Sequence, residues 1–296
     1  MAVTLSPAHL AHFRRFSLYN SPYVAHDDGS AVDLYPPADA DTVVSPVAGE
    51  VLDTRTVRAP PQPYAEPEDH LVLVDTGAHV ARLLHVEPTV SPGDTISRGD
   101  SLGRPVRAGF FAPWVPNHLH LEFRPHDANP YRASGSLRLA VEVDVTALPW
   151  DGTGTVVETG ETWARLDSPS HPAPGDGFAG LAVEIEESGS EPRHGVLDGG
   201  LPHYEGGGVL SDRGPSDRDV EDGHPGRHSG PVRLAGRRVG TATGRTVAWD
   251  DLDVLANGEP VRGIACYADR ENVGVKLVGR KVDLEVGAAV TVSVRR

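Results

Sequence analysis

The segment Asn117-His118-Leu119-His120-Leu121-Glu122-Phe123 concentrates titratable groups in a pattern that chemistry can use. In a strand, side chains two apart share a face, so His118, His120 and Glu122 fall on one side and Leu119, Leu121 and Phe123 on the other. Imidazole is the commonest protein ligand for zinc. A His-x-His strand can offer one ring as ligand and set the other beside an open coordination position. A half-exposed strand carrying two unrelated histidines is the plainer alternative. Glu122 is either a partner that fixes a ring tautomer or a surface carboxylate. His70 and His79 flank one hairpin and read as surface residues, and His126, His171, His194, His224 and His228 lie in Gly/Pro-rich stretches where solvated imidazole is expected. His203 differs, because the His203-Tyr204 pair sits between Gly199-Gly200 and Gly206-Gly207-Gly208; the segment reads as a plain linker, with a mobile lid over the metal site as the alternative. The single cysteine, Cys266, excludes an intramolecular disulfide and any cysteine-based zinc ribbon. Its strand-like neighbours make it a buried, inert thiol.

The elements that must position these groups read as strands. Glycine (33) and proline (26) punctuate a chain of 296 residues with little helical periodicity, which predicts an all-β fold. Short strands are expected at 43–44, 49–52, 71–74, 80–84, 95–96 and 119–123, with a proline-rich loop over 58–69. A helix is expected only near 7–16, where Ser6 could cap it and Leu10, Phe13 and Phe16 fall at helical spacing. The pattern restarts after Pro130, predicting two β domains, 1–135 and 136–296. The second carries a flexible Gly/Pro-rich segment over about 167–230, in which 182–185 is the clearest strand and 211–230 reads as disordered or as a long surface excursion.

Upstream of the His-x-His strand lie Ser45-Pro46-Val47-Ala48-Gly49-Glu50-Val51, then Leu83-Leu84-His85-Val86, then Val90-x-x-Gly93-Asp94-x-Ile96-x-x-Gly99-Asp100-x-Leu102-Gly103. In this order the segments resemble the lysostaphin/LytM-type zinc metallopeptidases, endopeptidases with a duplicated-hybrid β fold, over roughly 21–125. The resemblance implies a barrel-sandwich N-terminal domain, a bound zinc and a peptide-containing substrate. It implies that His120 is a zinc ligand, His118 the catalytic base, and His85 a group that orients water or stabilises the oxyanion. His26 and Asp33 are then the remaining metal ligands. Two departures stand out. Six residues separate His26 from Asp33 where the family has three, which asks for an extra turn around Asp28-Gly29-Ser30 and leaves Asp27 and Asp28 as alternative carboxylates. Trp114-Val115-Pro116-Asn117 is also bulkier than the family's approach to its closing motif.

Two neutral imidazoles and one carboxylate leave zinc a net positive charge and an open position for water, the composition of a hydrolytic centre. A non-catalytic binding module of the same fold is the rival reading. A phosphocarrier resembling the glucose-type phosphotransferase IIA module is a third, since it would use Leu84-His85 but needs no His-x-His with an aspartate. The 42 acidic against 27 basic residues, a net charge of −15, argue against nucleic acid or anionic membrane as partner. Only Lys276 and Lys281 are lysines, and that acidic, Lys-poor balance resembles soluble proteins of very salty cytoplasm. No apolar run is long enough for a signal peptide or a membrane span, so a cytoplasmic location is expected. That location sits awkwardly with the peptidoglycan that the resembled family mostly cuts.

Overall fold

A computed structural model describes residues 2–186, 191–211 and 229–296. The expected excursion at 211–230, with His224 and His228, falls almost wholly outside them. The chain is all-β, and it divides into two compact units: Met1–Phe16 with Tyr23–Ala140, and Ser17–Pro22 with Val141–Arg296. The division thus falls at 140/141 rather than 135/136, and a short early segment belongs to the later unit.

In the N-terminal unit, antiparallel pairings order one sheet as Ala31–Tyr35, Leu119–Arg124, Val80–Leu84, Glu68–Asp75, Gly49–Arg58 and Thr95–Ile96. The hairpin joining Glu68–Asp75 to Val80–Leu84 closes because Gly77 takes φ +83 and Thr76 Oγ1 donates to the His79 carbonyl at 2.8 Å. Val43–Val44, Ser101–Pro105 and Val86–Pro88 form a separate three-stranded sheet. The Leu119–Arg124 strand is paired on both edges in the larger sheet and buried on both faces. Leu119, Leu121 and Phe123 therefore pack as expected, while His118, His120 and Glu122 are enclosed as well.

The helix expected over 7–16 shrinks to the single turn Pro7–Leu10, with Ser6 N–H donating to His9 Nδ1 at 3.2 Å. Phe16 instead lies in the strand Arg15–Ser17, and Phe13 reaches the core from the turn after the helix, its N–H donating to the Leu10 carbonyl at 3.1 Å. One helical turn is too short to persist without tertiary packing, and here the packing favours the strand.

In the C-terminal unit, six strands close a ring of antiparallel pairings: Phe178–Ile185, Arg193–Leu201, Gly206–Ser211, Thr246–Trp249, Arg237–Thr243, Ser229–Leu234 and back to the first. Three of these strands occupy the segment expected to be flexible, which corrects that reading. Its glycines serve close packing: a Cβ on Gly208 would lie 2.2 Å from the Tyr19 ring, and one on Gly207 2.2 Å from the Trp249 ring. His203 sits at the hairpin of Arg193–Leu201 and Gly206–Ser211, against Tyr204 at 4.5 Å between ring centroids, within the C-terminal unit's own sheet. The fully buried Asp198 accepts hydrogen bonds from Ser17 Oγ, from Leu18 N–H at 2.6 Å and from Tyr19 N–H at 3.3 Å, and these hold the early segment in this unit. Cys266 is 3 % exposed, and burial, with Asp198's charge nearby, pushes its thiol well above the usual range. Among the described residues no helix is long and apolar enough to cross a membrane.

Candidate metal centre

Cross-strand register builds the site. Asp33, on Ala31–Tyr35, lies directly opposite His120 on Leu119–Arg124, and His120 in turn faces Leu84 across the next pairing. His85 follows Leu84 at the point where the chain leaves the large sheet for the small one, and it makes that turn at φ +72. His26 comes from the 3-10 segment Val24–Gly29, immediately ahead of the Asp33 strand. There Asp28 adopts φ +56, which supplies the extra turn that the long His26–Asp33 spacing requires. Asp27 and Asp28 are exposed, and Asp28 pairs outward with Arg138 at 2.6 Å, so Asp33 is the carboxylate that meets the imidazoles.

His26, Asp33 and His120 bring one ligand atom each within 4.8 Å of one another. His26 Nε2 is 3.3 Å from Asp33 Oδ1 and 3.2 Å from His120 Nδ1, which is itself 3.1 Å from the same oxygen. His118 Nε2 stands 3.4 Å from Asp33 Oδ1. All four residues are buried. Burial alone would push the Asp33 carboxyl up, but the charges and hydrogen bonds of His118, His26 and His120 outweigh it and hold it well below the usual range. Burial, reinforced by His26 and His85 and opposed by Asp33, holds His120 down to about 3. His120 is therefore neutral at pH 7, the state in which imidazole binds a metal.

These donors suit a borderline-soft divalent cation. A backbone carbonyl can only accept, so the 3.0 Å contact of His118 Nδ1 with the Pro116 oxygen places a proton on Nδ1 and turns Nε2 to Asp33. His26 Nε2, His120 Nδ1 and His118 Nε2 then crowd one carboxylate oxygen in a buried space, an arrangement that a shared cation stabilises. Two imidazoles and a carboxylate are a zinc-type set with an open position.

The flanking histidines are fixed from behind. His85 Nδ1 is 2.6 Å from Asp69 Oδ2, while Asp69 Oδ1 accepts from the N–H of His85 at 3.1 Å and of His70 at 2.8 Å. Asp69 is fully buried, so its role is to hold His85 in place with Nε2 turned away from the pair. Phe111 stacks on His118 at 4.2 Å and meets His85 edge-on at 4.6 Å. The approach segment that carries Trp114 is gathered by Arg107, whose guanidinium reaches the carbonyls of Ala112, Pro113 and Val115. Sequence reasoning did not reach Asp69, Phe111 or Arg107. Asp69 comes diagonally beside His85 only through the pairing of Leu71 with Leu84.

Glu122 is buried and is no surface carboxylate. Its Oε1 lies 3.7 Å from His120 Nε2, too long for a hydrogen bond. Its direct partners are Arg82 and Ser136, with Arg124 at 3.6 Å, so it anchors the back of the strand by a buried charge cluster.

Two family models cover nearly the whole chain: the N-terminal domain of a domain of unknown function (DUF8155) matches residues 4–141 and its C-terminal domain matches 146–295. No curated protein and no solved structure matches.

Proposed function

The chain belongs to the DUF8155 family, and we propose that its N-terminal unit is a metal-dependent hydrolase of peptide or amide bonds, with zinc held by His26, Asp33 and His120. The observation that carries this reading is the convergence of those three groups within 4.8 Å, with His118 Nε2 turned to the same oxygen. The likeness of the motif order to the lysostaphin/LytM-type metallopeptidases supports it independently of the geometry. Zinc in such a set supplies a Lewis acid that lowers the pKa of water and polarises a carbonyl.

The chain's own residues do the rest. His118 Nε2, its ring fixed by the Pro116 carbonyl and the Phe111 face, accepts the proton of the attacking water. His85, tied to Asp69, donates a hydrogen bond from Nε2 in its protonated form to the developing oxyanion, with Asp69 balancing the imidazolium charge, and the proton that His118 took from water passes to the leaving nitrogen as the C–N bond breaks. Phe110 and Phe111 against His85 limit access of bulk water to this side of the site.

Elemental analysis of protein purified at high salt is the test. About one zinc per chain is expected, lost in His120→Ala and kept in His118→Ala, while hydrolysis of library peptides is lost in both. Wild-type protein that stays metal-free after equilibration with zinc, with its β structure intact, would overturn the reading.

A further inference from the structure

Between Val141 and Arg296 the sequence holds sixteen basic and twenty-six acidic residues, a net charge of −10. Five of those sixteen cations nevertheless line one cavity of about 600 Å³: Arg233, Arg237, Arg238, Arg295 and Arg296. They arrive from two directions. Arg233, Arg237 and Arg238 flank the two-residue turn Ala235-Gly236, whose φ values of +48 and +72 make it the tight turn of a hairpin. Arg295 and Arg296 come from the end of the strand Ala289–Arg295, across which Asp253 faces Arg295.

Like charges directly across a strand pair are destabilising, yet the hairpin register sets Arg233 opposite Arg238. The fold holds them with carboxylates on their outer sides. Glu186 pairs with Arg233, and Asp250 serves both Arg238, at 3.1 Å from Nε, and Arg296. That Arg238 Nε is out of contact with solvent and, despite its distance to Asp250, makes no hydrogen bond. Arg237 and Arg295 are exposed and bond no carboxylate among the described residues. The cavity therefore keeps a cationic excess inside a unit that is otherwise acidic.

A guanidinium fork matches two phosphate oxygens at once, and a space of this size lies within the range of small-molecule sites, about 300–1,000 Å³. A long polyanion would meet the acidic remainder of the unit, which opposes it. We propose that this cavity binds a small ligand carrying two or more linked phosphoryl groups. The inference is independent of the metal centre, which shares no residue with it.

Tripolyphosphate is the probe, titrated calorimetrically into the full-length chain after metal removal with EDTA, so that chelation contributes nothing. One ligand per chain is expected, with affinity falling as salt rises. Arg237→Ser with Arg295→Ser should weaken binding by at least about tenfold. Arg237→Lys with Arg295→Lys, which keeps the charge but loses the fork, should weaken it less, and Arg245→Ser, outside the cavity, should leave it unchanged. Both substituted side chains are exposed, and the lysine pair guards against a folding defect in the serine pair. Absence of saturable binding, equal affinity for citrate, an unaltered double variant, or tighter binding of a twenty-nucleotide single strand would each overturn the proposal.

Discussion

Replacing Asp69 with asparagine tests how the site is held. Asp69 Oδ1 serves two backbone N–H groups and Oδ2 serves the His85 ring at 2.6 Å, all inside a fully buried pocket. Asparagine can keep its oxygen on the two N–H groups, but its NH₂ then points at His85 Nδ1. That nitrogen must turn from donor to acceptor, so the ring proton moves to Nε2. Hydrogen bonds to a charged acceptor contribute about 1.5–3 kcal/mol and neutral ones about 1 kcal/mol, so each of the three bonds loses about 0.5–2 kcal/mol and the exchange costs at least about 1.5 kcal/mol. For a unit of this size, that lowers the melting temperature by at least about 4 °C. Long-range ¹H–¹⁵N spectra of the ring nitrogens read the tautomer directly, and thermal melts read the stability. Zinc content is expected to stay at the wild-type level, while hydrolysis on the proposed reading falls by about 2- to 30-fold, because a neutral Nε2–H replaces the imidazolium donor that Asp69 sustains. A His85 ring that keeps its proton on Nδ1, or a melting temperature within about 1 °C of wild type, would refute the argument.

Two further predictions concern the C-terminal unit. Burial, with Arg262's charge second, holds His203 down to about 3 from the ordinary 6.5, and both its ring nitrogens are out of contact with solvent although the ring edge is partly accessible. Its folded-state pKa lies below the unfolded one, so the unfolded chain takes up the proton first. Stability is complete above about pH 6.5 and declines as pH falls towards 3. By pH 5 the loss is about 2 kcal/mol. Denaturant melts of His203→Gln should lack that part of the pH dependence, and equal slopes for wild type and variant between pH 7 and 5 would rule the linkage out. Gly208→Ala places a methyl 2.2 Å from the Tyr19 ring and should destabilise by about 1–3 kcal/mol, with a smaller loss in a Tyr19→Ala background; a variant as stable as wild type would show that the ring moves freely.

The elements nearest the chemistry are the most legible ones. A strand's period of two places His118 and His120 together from seven consecutive residues, and the His26 and Asp33 assignments follow from motif order before any distance is known. Asp69 stays hidden because its meaning depends on which strand pairs with which, and that pairing is a property of the folded chain. Glu122 reads as a possible surface residue for the same reason: Arg82 becomes its neighbour only through the register of Leu119–Arg124 with Val80–Leu84. Glycines at 199–208 suggest flexibility by composition, whereas in space Tyr19 and Trp249 press their rings on Gly208 and Gly207. The arginine cavity joins a hairpin turn at 235–236 to residues 295–296, and nothing local in the sequence connects them.

The anchoring of residues 17–22 by Asp198 makes the two halves of this protein hereditary companions. A gene break near codon 140 would leave the later half with a buried carboxylate stripped of the Ser17, Leu18 and Tyr19 donors that satisfy it. The earlier half would carry a stretch of main chain with those partners gone. A single crossover that brings in an early half without equivalent donors therefore carries a stability cost. The arrangement predisposes the two domains to travel through a lineage as one unit, and both family domains do lie side by side along this one chain.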